Sequence, residues 1–190
     1  MKELDKTTAL ASLAQEIIDK NVCLELKQQA TQLVMGDGNV NAKIVFIGEA
    51  PGKSEDLQGV PFVGASGKFL NVMLEAAGMD RADVYITNIV KYRPPNNRDP
   101  KTVEKEAFWP YLERQLEIIG PKVIITLGRH SMGSFLPKAQ IAEVHGQPQQ
   151  IQVGGQLFTI VPLYHPAAAL YNGSLRQTLI DDFLKISKTL

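Results

Sequence analysis

Four short runs of apolar, largely β-branched residues are spaced along the 190-residue chain, at residues 43–47 (KIVFI), 84–90, 122–127 (KVIITL) and 159–163. Each has the length and composition of a strand buried on both faces. The stretches between them read as helices: residues 68–77, with Gly78 as a C-cap, 101–119, and a short one at 128–136. Short buried strands alternating with helices predict a mostly parallel sheet covered on both sides. In such sheets ligands bind beyond the carboxyl ends of the strands. That rule directs attention to residues 48–52, to Thr87-Asn88 and to Tyr164-His165-Pro166.

The flanking segments fit the same plan. Residues 1–35 read as helix, with Leu10, Leu13, Ile17 and Ile18 at spacings of three and four and a break near Asn21. Gly36-Asp37-Gly38-Asn39 is a turn signal. Residues 141–162 alternate around Gly154-Gly155, as a hairpin feeding the last strand does. Residues 174–190 close the chain as a helix. The length suits a single domain over 1–190, with 1–35 packed on it.

Lys and Arg together number 20, as do Asp and Glu, so net charge gives no general affinity for nucleic acid. Any basic face must be local. The single cysteine, Cys23, excludes an internal disulfide and any multi-cysteine metal site, and fits a reducing compartment. No apolar run approaches the roughly 20 residues of a membrane span, and the N-terminus lacks a signal-type apolar core. The expectation is a soluble cytoplasmic protein. No exposed heptad suggests more than a monomer.

Glu49 follows a buried strand inside a tight Gly-Pro-Gly loop, where partial desolvation raises a carboxyl pKa. There it can position water; it can equally cap the next segment or pair with a lysine. Asn88 ends a strand, where asparagine is disfavoured. Its donor and acceptor can read a pyrimidine edge, or tie a turn. His165 can donate to an oxygen that gains charge, or be satisfied by backbone. Phe62, in a loop held by proline and glycine, can stack on a base or fill the core. His130 and His145 have no comparable context and read as structural. Together, an acid, an amide, an imidazole and an aromatic ring at one sheet edge can grip a flat polar ring and place water beside it.

These segments resemble the signatures of the family 4 uracil-DNA glycosylases. Gly48-Glu49-Ala50-Pro51-Gly52, Glu55-Asp56 and residues 59–67 (GVPFVGASG) are similar to the first motif. Residues 85–91 (YITNIVK), continued by Arg93-Pro94-Pro95 and Asn97-Arg98, are similar to the second. His165-Pro166-Ala167-Ala168 is similar to the third. The resemblance implies a three-layer α/β/α sandwich around a central, mostly parallel four-stranded sheet. It implies an enzyme that flips uracil out of DNA and hydrolyses its N-glycosidic bond. Glu49 would handle the water or the cationic sugar, and His165 would bond to uracil O2. Phe62 would stack, Asn88 would read the N3 and O4 edge, and backbone near Ala50 and Gly52 would line the pocket. Lys91, Arg93, Arg98 and Arg176 are the candidates for phosphate contacts, and Leu170 or Tyr171 for a wedge.

The family holds an iron–sulfur cluster on four cysteines. The corresponding positions here are Asn21, Leu24, Tyr92 and about Ala107, and none is cysteine. The expectation is therefore no cluster and no metal, with apolar packing of Leu24, Tyr92 and their neighbours in its stead. Two other readings stand beside this one: a glycosylase for hypoxanthine, xanthine or another base, and a relative that only binds DNA or protein.

Overall fold

The computed structural model describes residues 3–187. In chain order the elements are α1 (Glu3–Asp19), α2 (Leu24–Lys27), β1 (Asp37–Gly38), β2 (Ile44–Gly48), α3 (Lys53–Gln58) and α4 (Ala65–Ala76). Next come β3 (Tyr85–Asn88), α5 (Thr102–Ile119), β4 (Val123–Leu127), α6 (Arg129–Phe135) and α7 (Ile141–Val144). The last are β5 (Gln149–Val153), β6 (Gln156–Leu163), α8 (Ala168–Tyr171) and α9 (Gly173–Ser187). The expected closing helix is present as α9, and its residues 188–190 lie outside the described ones.

The sheet has six strands in the order β1-β3-β2-β4-β6-β5. The inner four are mutually parallel, and β1 and β5 pair antiparallel at the two edges. This corrects the four-stranded count. The turn signal at 36–39 holds a two-residue bridge, too short to show any hydrophobic period. A Cβ on Gly38 would lie 2.1 Å from the Val84 carbonyl oxygen, so only glycine lets this edge pair. The hairpin around Gly154-Gly155 is present, but its first arm starts at Gln149. Residues 141–144 form a helical turn instead.

Successive strand residues serve opposite faces of the sheet. Val45, Ile47, Ile124 and Ile160 pack with Leu10, Ile17, Leu26, Phe108, Leu112 and Leu116, under α1, α2 and α5. Ile44, Phe46, Ile86, Ile125 and Val161 pack with Phe69, Leu70, Met73, Leu179 and Phe183, under α4 and α9. The sheet thus separates two helical layers, which gives the expected α/β/α sandwich. Full burial of each large apolar side chain contributes about 1.5–3 kcal/mol, and all five residues of β2 are buried.

A buried polar network, centred on a lysine, sits inside this core. Lys91 is fully buried. Its Nζ donates to Thr87 Oγ1 (2.6 Å), the Asn88 carbonyl (2.8 Å) and Gln115 Oε1 (2.6 Å). Gln115 Nε2 in turn donates to the Met35 carbonyl (3.0 Å) and Tyr85 Oη (3.1 Å). Burial pushes the lysine pKa down to about 7, while three acceptors complete the hydrogen-bond valence of the ammonium. The network ties β3, α5 and the segment before β1 to one another. Lys91→Ala strips Thr87 and Gln115 of their donor and opens a cavity. It is expected to cost about 2–5 kcal/mol, read as a lower urea midpoint; an unchanged midpoint would refute this role.

Candidate active site

The parallel register sets Gly48 of β2 beside Asn88 of β3 at the carboxyl edge of the sheet. A Cβ on Gly48 would fall 2.4 Å from Asn88 Oδ1 and 2.7 Å from the Phe62 ring. Glycine is needed here for close approach, since two side chains occupy the space its own would fill. Phe62 holds a left-handed backbone, with φ 52, uncommon for a bulky residue and a mark of imposed local geometry. Glu55 Oε1 holds this loop by accepting from Val63 N (3.0 Å) and Gly64 N (2.8 Å). A Cβ at residue 67 would lie 1.8 Å from the Phe62 carbonyl oxygen, which explains Gly67.

The result is a cleft of about 440 Å³ whose walls include Glu49, Ala50, Gly52, Phe62, Asn88 and His165. All six residues expected to act on or hold the base therefore meet in one place. Phe62 and His165 stack with ring centroids 5.8 Å apart. His165 Nδ1 accepts from the Ala167 backbone N–H at 3.1 Å, which puts the proton of the neutral ring on Nε2. Burial, then the nearby His130, push its pKa down to about 4. Glu49 goes the other way: burial, then the charge of Asp99, push it up to about 7, against weaker opposing effects of Lys105 and Arg129.

Two residues at this site were not singled out in the sequence. His130, read there as structural, stands beside the acid, with Nδ1 3.6 Å from Glu49 Oε1 and Nε2 3.2 Å from Asp99 Oδ2. Asp99 also lines the cleft. The only signal was their nearness to strand ends and motif residues, since their contact with Glu49 spans distant parts of the chain. Glu49, Asp99 and His130 bring one ligand atom each within 4.8 Å of one another. The two ring nitrogens face different carboxylates, however, an arrangement for sharing protons and not for converging on an ion. His145 matches its structural reading: Nδ1 lies 2.5 Å from Asp182 Oδ2.

The phosphate and wedge candidates divide. Lys91 is corrected: its ammonium is enclosed by the core network and has no access to a phosphate. The sequence shows a lysine leaving a strand but not the oxygen acceptors that gather round it. Arg98 lines the cleft, yet its guanidinium is held by Glu104 through bonds of 2.9 and 2.6 Å. Arg93 is half-buried and donates to Asn97 Oδ1 (2.7 Å). Arg176 is exposed, 4.6 Å above the Phe69 ring. Leu170 is 44% exposed and Tyr171 91%, with Tyr171 on the cleft rim.

Around the four positions equivalent to cluster cysteines, the chain uses other chemistry. Tyr92 is buried against the edge of Phe108 (centroids 6.0 Å apart), and Val22, Cys23 and Leu26 belong to the same packing. Leu24 is 47% exposed, so it does not carry the packing expected of it. The join is also polar: Cys23 Sγ lies 3.8 Å from the Glu104 carbonyl oxygen, and Glu104 bonds Arg98 and the Lys101 N–H. Burial pushes the lone thiol up to about 11, away from the thiolate form that binds metal. One thiol of this kind does not fit a four-cysteine cluster.

The model of the uracil DNA glycosylase superfamily matches residues 35–186. A type-4 uracil-DNA glycosylase of Sulfurisphaera tokodaii is 47% identical over 184 residues, covering 94% of this chain and 83% of that relative. That of Saccharolobus solfataricus is 49% identical over 163 residues, covering 83% and 76%. That of Archaeoglobus fulgidus is 45% identical over 185 residues, covering 95% and 92%. The geometry of the cleft makes its own prediction. Gly48→Ala should displace the Asn88 amide and the Phe62 ring and cost about 1–3 kcal/mol, measured by urea unfolding. An unshifted midpoint together with unshifted Phe62 ring resonances would show that the close approach is dispensable.

Proposed function

The chain belongs to the uracil DNA glycosylase superfamily, and from that premise we propose that it excises uracil from DNA by hydrolysing the N-glycosidic bond. The observation that carries the proposal is the meeting of Glu49, Phe62, Asn88 and His165 in one cleft, with the His165 proton left on Nε2 by the Ala167 contact. Uracil turned out of the helix stacks on Phe62. Asn88 accepts from N3–H and donates to O4. Cytosine presents an amine at the second position and meets a donor there, which disfavours it. The His165 Nε2–H donates to O2.

As the C1′–N1 bond breaks, its electron pair passes to uracil, which leaves as an anion stabilised at O2. The sugar becomes cationic, and the Glu49 carboxylate offsets that charge or orients the water whose oxygen bonds to C1′. Ala50 and Gly52 line the pocket with backbone. A neutral imidazole suits this task because it donates without having to lose a proton of its own.

Around the cleft, we assign Arg93 and Arg176 to DNA phosphates, with Arg98 in a secondary part because Glu104 holds it. Leu170 and, further out, Tyr171 form the wedge. The protein acts as a monomeric single domain over residues 1–190, with 1–35 packed on it, and works in the cytoplasm. No helix among the described residues is long and apolar enough to cross a membrane. It needs no metal or cluster. Purified protein is therefore expected to contain less than stoichiometric iron by elemental analysis while still cutting uracil-containing DNA; stoichiometric iron would overturn that part.

The pH dependence follows from the two shifted groups. Glu49 acts ionised, so kcat should rise with pH through about 7 and level off above it. His165, neutral down to about 4, adds no loss across that range. An oligonucleotide with one uracil, treated with alkali after incubation, reads the reaction. Glu49→Ala, Asn88→Ala and His165→Ala should each lower the rate about 10²–10³-fold, with thymine and hypoxanthine left intact. Binding without cutting by the unaltered protein would instead indicate a module that only holds DNA.

A further inference from the structure

Glu49 is the acid of the cleft, yet its Oε1 is buried and makes no hydrogen bond to another protein group. A second carboxylate, Asp99, stands close enough to raise its pKa. Such a pair of acids calls for a cation between them, and the imidazole of His130 lies in that position. Its Nδ1 is 3.6 Å from Glu49 Oε1 and its Nε2 3.2 Å from Asp99 Oδ2. Among the described residues it is the one basic side chain within 4.0 Å of Glu49, and the contact is an ion pair only while the ring is protonated.

The placement is built into the backbone. Gly128, with φ 92, turns β4 into α6. Ser131, fully buried, donates its Oγ–H to the Ile47 carbonyl at 2.5 Å. That bond fixes the first turn of α6 to the strand that delivers Glu49, so His130 and Glu49 keep one separation. Arg129 Nε, 3.1 Å from His130 Nε2, competes with Asp99 for that nitrogen. A neutral ring that accepts from Arg129 carries its proton on Nδ1, toward Glu49; the charged ring presents a proton to each carboxylate.

We infer that His130, backed by Asp99, is a positioning residue that sets the ionisation of Glu49; the inference rests on the glycosylase role proposed above. The other charges that face the pair are Lys105 from α5, Arg129 from α6 and His165 beyond β6. Lys105 and Arg129 favour the Glu49 carboxylate and oppose a proton on His130, whereas Asp99 does the reverse. Burial, ahead of these charges, holds the His130 pKa below its ordinary value, so where Glu49 titrates the ring is neutral and faces the carboxyl with its Nδ1 proton. A proton donor directed at the ionised form of a carboxyl favours that form and lowers its pKa. Loss of His130 should therefore leave Glu49 protonated to higher pH.

Two measurements test this. In a ¹³C NMR titration of the side-chain carboxyls, the Glu49 midpoint should rise by about one pH unit from the unaltered protein to His130→Phe; an unmoved midpoint overturns the coupling. In the uracil-excision assay, His130→Phe keeps an apolar ring in place but removes both nitrogens. The acid limb of kcat should move up by about one pH unit, with the alkaline plateau retained, and His130→Asn, which restores a donor near Nδ1, should recover part of the shift. A uniform loss at every pH with the limb in place, or a lowered urea midpoint as the only change, would reduce His130 to packing and sink the inference. The NMR arm needs no turnover. Failure of the unaltered protein to excise uracil would therefore count against the glycosylase reading alone.

Discussion

The last residue of β2 has no side chain, and the cleft is assembled in the space this leaves. Because β2 and β3 run parallel in fixed register, Gly48 and Asn88 end side by side. The missing Cβ admits the Asn88 amide from one direction and the Phe62 ring from another. Everything else at the site follows from keeping those two in place. Glu55 fixes the loop that carries Phe62. Gly67 lets the loop backbone pass close beneath. The His165 ring closes over Phe62. The ladder behind them is rigid because four strands, buried on both faces, offer no room for a register slip that would exchange the two helical layers.

Burial acts on the two ionisable groups of the cleft in opposite directions. It penalises whichever form carries charge, so it drives Glu49 toward the protonated acid and His165 toward the neutral base. For His165 that outcome suits the donor role proposed for it, since the ring is neutral and the Ala167 N–H selects its tautomer. For Glu49 it opposes the proposed role, which uses the carboxylate. The same desolvation that makes the site effective for electrostatics thus creates a need for a compensating cation, and that need is local to Glu49.

The layers of the fold were legible because strand periodicity reports burial directly: Val45 and Ile47 face one helical layer, Ile44 and Phe46 the other. The four inner strands and the long helices follow from that signal. The edge strand at Asp37–Gly38 does not, because two residues carry no period. That Glu49, Ala50, Gly52, Phe62, Asn88 and His165 would meet at one cleft was legible through their motifs and strand-end positions. Lys91 was misread because its acceptor set is completed by Gln115, which joins the nearby Thr87 and Asn88 carbonyl only when β3 packs against α5. His130 was passed over for the same reason. It lies 81 residues beyond Glu49 in the chain, and the pairing of β2 with β4, together with the Ser131–Ile47 bond, brings the two together. Pairings of this kind belong to tertiary structure and leave no local pattern.

The join between the N-terminal helices and the rest of the fold rests on many separate contacts. A single strong restraint can be exchanged for many weak ones only if they act together, because each hydrogen bond contributes about 1 kcal/mol net. Here Val34 N–H bonds the Lys91 carbonyl, Gln115 reaches the Met35 carbonyl, and Asp56 accepts from the backbone and hydroxyl of Thr31. Tyr92 adds apolar burial against Phe108. Arg98 is drawn into the same structure: its guanidinium grips Glu104, whose carboxylate also caps the start of α5 through the Lys101 N–H. A bidentate arginine satisfied in this way has little left to give a phosphate. The polar route to a stable join therefore removes positive charge from the rim of the cleft, in keeping with a chain of zero net charge.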